Sequence, residues 1–139
     1  VIGGGSEEEK DALARYGMHL GTAFQLIDDV LDYSGDFLKT GKNIGDDLAE
    51  GKPTLPLLYA MKHGTAEQAA SIRQAIEHGG LTEFQSVLAA IKDTRALQYT
   101  RDAAQRESEK ANAAISCLPD SNSKSALLQL AAFAVDRSF

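Results

Sequence analysis

Apolar and polar positions recur with a helical period along most of this chain. In residues 6–33, Leu13, Leu20, Phe24, Ile27 and Leu31 fall on one stripe at about 100° per residue. Gln25, Asp28, Asp29 and Asp32 fall beside it, within an arc of roughly 100°. The pattern predicts one long helix with a core stripe next to an acidic ridge. Ser6 and Glu9 have capping-box spacing at its start, and Glu7 and Glu8 suit the positive end of the helix dipole. Gly17 and Gly21 project to the border between the two faces, each costing roughly 1 kcal/mol relative to Ala. Close packing against a neighbouring helix is the expected compensation.

Residues 34–53 lose the period, with Gly35, Gly41, Gly45 and Gly51 scattered among Asp, Lys and Asn. A loop of that length within a compact domain usually binds or gates something. Helices resume over residues 54–63, with Pro56 in the first turn and Gly64 as the terminating glycine, and over 65–78, stopped by Gly79-Gly80. Thr82 and Gln85 repeat the capping-box spacing and predict a helix to about residue 92. A longer helix over 94–118 carries Leu97, Ala104, Ala111, Ala114 and Ile115 on one side, and Pro119-Asp120-Ser121 ends it. The last, over 123–136, aligns Leu127, Leu130, Ala131 and Ala134. No strand or internal repeat is discernible, so the expected fold class is all-α, with residues 1–139 as a single domain.

Composition narrows the function. The 139 residues are 43% hydrophobic, which is enough for one real core. A net charge of -6 argues against nonspecific attraction to nucleic acid or an anionic bilayer. The single Cys117 excludes an intramolecular disulfide, suits a cytoplasmic setting and reads as a small helix-packing group. No apolar run approaches the roughly 20 residues that span a bilayer. His19, His63 and His78 lack zinc spacing and read as surface or helix-end residues, and the tyrosines and phenylalanines read as core. The chain opens Val1-Ile2 without an initiator Met, which leads us to expect a piece of a longer polypeptide.

The acidic ridge has no obvious counter-charge, because no Lys or Arg occurs between Arg15 and Lys39. Two like charges about 6 Å apart repel by roughly 3 kcal/mol at an effective dielectric near 20, so either a pKa rises or a cation binds. Oxygen-only donors favour a hard ion such as Mg²⁺, which is often shared between carboxylates and phosphate oxygens. A solvated acidic helix face is the plain alternative. Downstream, Gly41-Lys42-Asn43-Ile44-Gly45-Asp46-Asp47 and Glu50-Gly51-Lys52-Pro53-Thr54 supply two lysines among glycines. Ammonium groups neutralise phosphate as point donors, so the ordered combination points to a diphosphate site. Asp46 and Asp47 could support such a metal or cap the next turn.

Gly21-Thr22-Ala23-Phe24-Gln25-Leu26-Ile27-Asp28-Asp29-Val30-Leu31-Asp32, the Gly41–Leu48 segment and Glu50-Gly51-Lys52-Pro53-Thr54-Leu55-Pro56 together resemble the second aspartate-rich region of trans-polyprenyl diphosphate synthases. The likeness is greatest to the bacterial long-chain branch that makes octaprenyl or nonaprenyl diphosphate, precursors of side chains such as that of ubiquinone. It runs from about Gly5 to Arg137. The resemblance implies the C-terminal part of an isoprenoid synthase helical bundle. It implies Mg²⁺ on Asp28, Asp29 and Asp32, support of the diphosphate end by Gln25, and contact of Lys42 and Lys52 with the allylic diphosphate. Asp28, Asp29, Lys42 and Lys52 are thus the expected catalytic residues.

The implied substrates are an allylic prenyl diphosphate and isopentenyl diphosphate, and the full-length enzyme is expected to be a homodimer. The family's first aspartate-rich motif and its isopentenyl diphosphate-binding basic residues have no counterpart here, so we expect these residues alone to be inactive. A non-catalytic, synthase-derived helical partner subunit is the main alternative, and a plain divalent-metal module a weaker one.

Overall fold

The computed structural model describes residues 2–34, 46–79 and 82–137. Among them are seven helices: α1 (Glu7–Ser34), α2 (Asp46–Ala49), α3 (Leu55–His63), α4 (Ala66–His78), α5 (Phe84–Asp93), α6 (Ala96–Ala114) and α7 (Asn122–Val135). The fold is all-α, as the periodicity predicts. No helix among the described residues is long and apolar enough to cross a membrane.

The Ser6–Glu9 capping box forms as predicted, with the Ser6 N–H donating to Glu9 Oε2 at 3.0 Å and the Glu9 N–H to Ser6 Oγ at 3.2 Å. A second box opens α4, where Thr65 and Gln68 satisfy one another's backbone N–H groups. The threonine and glutamine three residues apart made this legible, yet the pattern at Thr82 and Gln85 drew the prediction instead. That one does not form: Glu83 precedes α5 and makes no side-chain cap bond. The predicted long loop also contains α2, a single turn whose Asp46 and Asp47 lie at its positive end.

The chain divides into two compact units, Val1–Ile27 with Asp102–Ser138, and Asp28–Arg101. In the first, Tyr16, Ala111, Ile115 and Ala131 form the core, flanked by Leu20, Leu127 and Leu128. Small residues at Ala104, Ala111, Ala131 and Ala134 are fully or almost fully buried. The Tyr16 hydroxyl donates to the Leu127 carbonyl at 2.6 Å, and the Ser108 hydroxyl to that of Ala131 at 2.8 Å. His19 Nδ1 lies 2.6 Å from Glu107 Oε2, and Lys110 Nζ lies 2.9 Å from the other oxygen. His19 is therefore a partly buried hydrogen-bonding residue rather than a plain surface group.

In the second unit, α3, α4 and α5 pack on one another around Leu48, Leu57, Ile72, Val87 and Ile91, with Tyr33 of α1 included in the cluster. Gly64 ends α3 in extended backbone, not the left-handed form; a Cβ there would lie 2.7 Å from the Ala60 carbonyl oxygen. It is glycine for lack of space.

Several apolar expectations fail, for one reason. Leu13 and Phe24 are nearly half exposed, while Ala12, Tyr16, Ala23, Ile27 and Val30 are buried. The covered face of α1 thus keeps Ile27, and in part Leu20, of the predicted stripe but extends to Ala12, Ala23 and Val30 instead of Leu13 and Phe24, and a Cβ at Gly17 or Gly21 would meet nothing within 4 Å. Leu130 and Phe133 on α7 are likewise about half exposed, and Cys117 is exposed. Periodicity locates an apolar arc but not which part of it a neighbour covers.

Candidate functional site

The last two turns of α1 turn their acidic ridge inward. Asp29 is 6% exposed and Asp32 fully buried, with Asp28 half-buried and Gln25 exposed three residues earlier. Asp47, within the span that the sequence marks as a loop, lies against the ridge. The Asp47 N–H donates to Asp32 Oδ2 at 3.2 Å, so the first turn of α2 lies against the end of α1.

Asp47 is itself buried, and its Oδ1 accepts from Lys52 Nζ at 3.3 Å. The reversal that allows this depends on Gly51. Its φ of +71° is left-handed, and a Cβ would sit 2.6 Å from the Ile76 carbonyl oxygen. The Gly51 N–H then donates to the Leu48 carbonyl and the Lys52 N–H to that of Asp47, closing the turn. The Lys52 side chain remains 55% exposed. The hydrogen bond and charge of Asp47 raise the Lys52 pKa, with smaller contributions from Glu50 and Asp29, so it stays an ammonium.

Tyr33 and Thr54 complete the surroundings. Burial pushes the Tyr33 phenol well above its ordinary value, and the charge of Asp32 adds to this; the nearby Thr54 hydroxyl opposes it, while Asp47 and Asp29 contribute less. The two hydroxyls lie close but miss hydrogen-bond geometry, and neither has another hydrogen-bond partner among the described residues.

The structure therefore brings together Asp29, Asp32, Asp47 and Lys52, three of which the sequence singles out. Asp47 is weighed there only as a metal support or a cap; the signal for it was the acidic pair directly after the glycine–lysine segment. Lys42 lies outside the described residues. Among those described, no group of three His, Cys, Asp or Glu side chains is arranged to hold a metal ion.

Residues 1–93 match the family model described as "Polyprenyl synthetase". The chain belongs to this polyprenyl synthetase family. It is 54% identical to the octaprenyl diphosphate synthase of Haemophilus influenzae over all of its own length and 43% of that protein's. The chain thus spans less than half the length of this relative. A polyprenyl synthase of Caulobacter crescentus, solved with calcium and isoprenyl diphosphate, superimposes with a TM-score of 0.84 at 40% identity, covering 95% of this chain and 41% of that one. A Corynebacterium glutamicum geranylgeranyl pyrophosphate synthase, solved with isoprenyl diphosphate and magnesium, gives a TM-score of 0.84 at 31% identity, covering 98% and 40%.

Proposed function

We propose that this chain supplies one diphosphate site of a prenyltransferase that condenses isopentenyl diphosphate onto an allylic diphosphate. The observation carrying this reading is the convergence of Asp29, Asp32 and the Asp47–Lys52 pair at the end of α1. The donors fit Mg²⁺, since every acidic group is a hard oxygen ligand and such an ion keeps waters and takes phosphate oxygens as its remaining ligands. Asp28, Asp29 and Asp32 would hold it. When bound, it would neutralise charge building on the departing diphosphate.

The chain's own part is electrostatic. Lys52, joined by Lys42 on the strength of the resemblance, neutralises the outer oxygens of the allylic diphosphate, and Gln25 donates to its exposed end. The allylic carbon–oxygen bond breaks with its electron pair leaving on the diphosphate. The alkene of isopentenyl diphosphate then forms the new carbon–carbon bond, and a proton is lost to restore the double bond. Fixed charge aimed at the leaving group contributes most where charge develops. A product of octaprenyl or similar length, a quinone side-chain precursor, accords with the relative named above. These residues form a half-site, because condensation needs a second diphosphate held elsewhere, and they act within a larger, dimeric cytoplasmic enzyme.

Incorporation of labelled isopentenyl diphosphate into an extractable prenyl product tests the reading. Asp29→Ala and Lys52→Ala in the complete enzyme should each abolish or strongly depress it. Undiminished incorporation in both variants overturns the assignment.

A further inference from the structure

The turn between α5 and α6 has features that diphosphate chemistry does not use. Arg95 has a φ of +56°, and it is the positive value among the described non-glycine residues. L residues avoid this region, and such outliers concentrate at functional positions. The surrounding bonds hold it there: the Thr94 hydroxyl donates to the Ala90 carbonyl at 2.7 Å, and the Arg95 N–H to that of Lys92 at 3.1 Å.

Beside this turn lies a cleft of about 310 Å³, lined by the apolar or aromatic Tyr33, Leu88, Ile91 and Leu97 and by Lys92, Arg95 and Gln98. That volume is at the lower end of the range for small-molecule sites, which are mostly apolar with a few placed polar groups. Ile91 is 3% exposed and Tyr33 6%, so the floor is rigid core. Lys92 and Arg95 are exposed, and neither forms an ion pair with another described residue. Gln68 takes up neighbouring Asp93, donating to its Oδ2 at 3.0 Å.

We propose that this cleft binds a small single-chain amphiphile with an anionic head, the chain lying on Tyr33, Leu88, Ile91 and Leu97 and the head meeting Lys92 and Arg95. Two cations lining a mostly apolar cavity match a molecule that is charged at one end only. The inference does not rest on the prenyltransferase reading. The two sites are nevertheless adjacent through Tyr33, whose ring lines the cleft and which directly follows Asp32 in α1.

The test is titration of octyl phosphate, below its micelle concentration and in the presence of chelator, into ¹⁵N-labelled protein. Chelation removes divalent ions that would bridge the probe to the acidic site. Amide shifts are expected to centre on residues 88–98 and Tyr33. Octanol and inorganic phosphate should each bind far more weakly. Lys92→Gln and Arg95→Gly should each weaken binding by roughly three- to five-fold, the scale of one exposed charge contact. Gly relieves the strained φ, so Arg95→Gly should fold at least as well, and Arg95→Lys should retain most of the affinity. Lys52→Ala and Asp29→Asn should leave the titration unchanged, which separates this site from the diphosphate site. Absence of shifts at millimolar probe, or unaltered affinity in the Lys92→Gln, Arg95→Gly double variant, overturns the proposal.

Discussion

Lys52 Nζ lies 3.3 Å from Asp47 Oδ1, in a turn where the Lys52 N–H also donates to the Asp47 carbonyl at 2.9 Å. The same aspartate anchors its backbone on Asp32, so one residue ties the lysine to the acidic end of α1. Because the lysine head is half in solvent, this pairing contributes little to stability, and on the proposed function its part is to aim a cation.

Removing that cation should therefore affect turnover more than folding. Lys52→Ala is expected to lower kcat/KM for the allylic substrate by roughly 100-fold, the scale of losing one preorganised donor to developing charge. Lys52→Arg should recover part of it. Steady-state kinetics alongside thermal melts would separate the two effects, and a large fall in melting temperature would contradict the aiming role.

The carboxylates should make metal and diphosphate binding interdependent. Calorimetric titration is expected to find Mg²⁺ and inorganic diphosphate binding more tightly together than either alone, with Asp29→Ala and Asp32→Ala each removing the synergy. If Mg²⁺ alone binds as tightly as in the presence of diphosphate, the shared-ligand picture fails.

Glycines on this chain should respond in opposite directions. Gly51→Ala puts a Cβ 2.6 Å from the Ile76 carbonyl oxygen at a positive φ, and is expected to cost at least about 1–2 kcal/mol. Gly17→Ala and Gly21→Ala face open space within α1 and are expected to add roughly 0.5–1 kcal/mol each. Denaturant unfolding of the three single variants reads the signs directly.

Acid should weaken the link between α1 and α6. The hydrogen bond from His19, together with that from Lys110, holds the Glu107 carboxyl below its usual value of 4.5. A carboxylate with a depressed folded pKa contributes stability that is complete above its unfolded value and lost as pH falls through the lowered folded one. Glu107→Gln should thus lower the melting temperature at neutral pH. That deficit should shrink as the pH drops below about 4.5. A deficit independent of pH would show that charge at Glu107 is not what stabilises this contact.

The alternation of residue types was enough to determine the helical class and most element boundaries, and it marked Asp28, Asp29, Asp32 and Lys52 as the candidates on which the proposed function rests. Those features arise from interactions three or four residues apart, from caps and from the grouping of like charge, all of which are written locally. What only tertiary structure decided was which face of α1 is covered. A helix with apolar side chains over a broad arc can be buried along any part of it, and here the neighbours cover Ala12, Ala23 and Val30 while leaving Leu13 and Phe24 outside. The placing of Asp47 against Asp32, fifteen residues away, and the approach of Tyr33 to the turn between α5 and α6 were likewise not legible, because both depend on packing between segments remote in sequence.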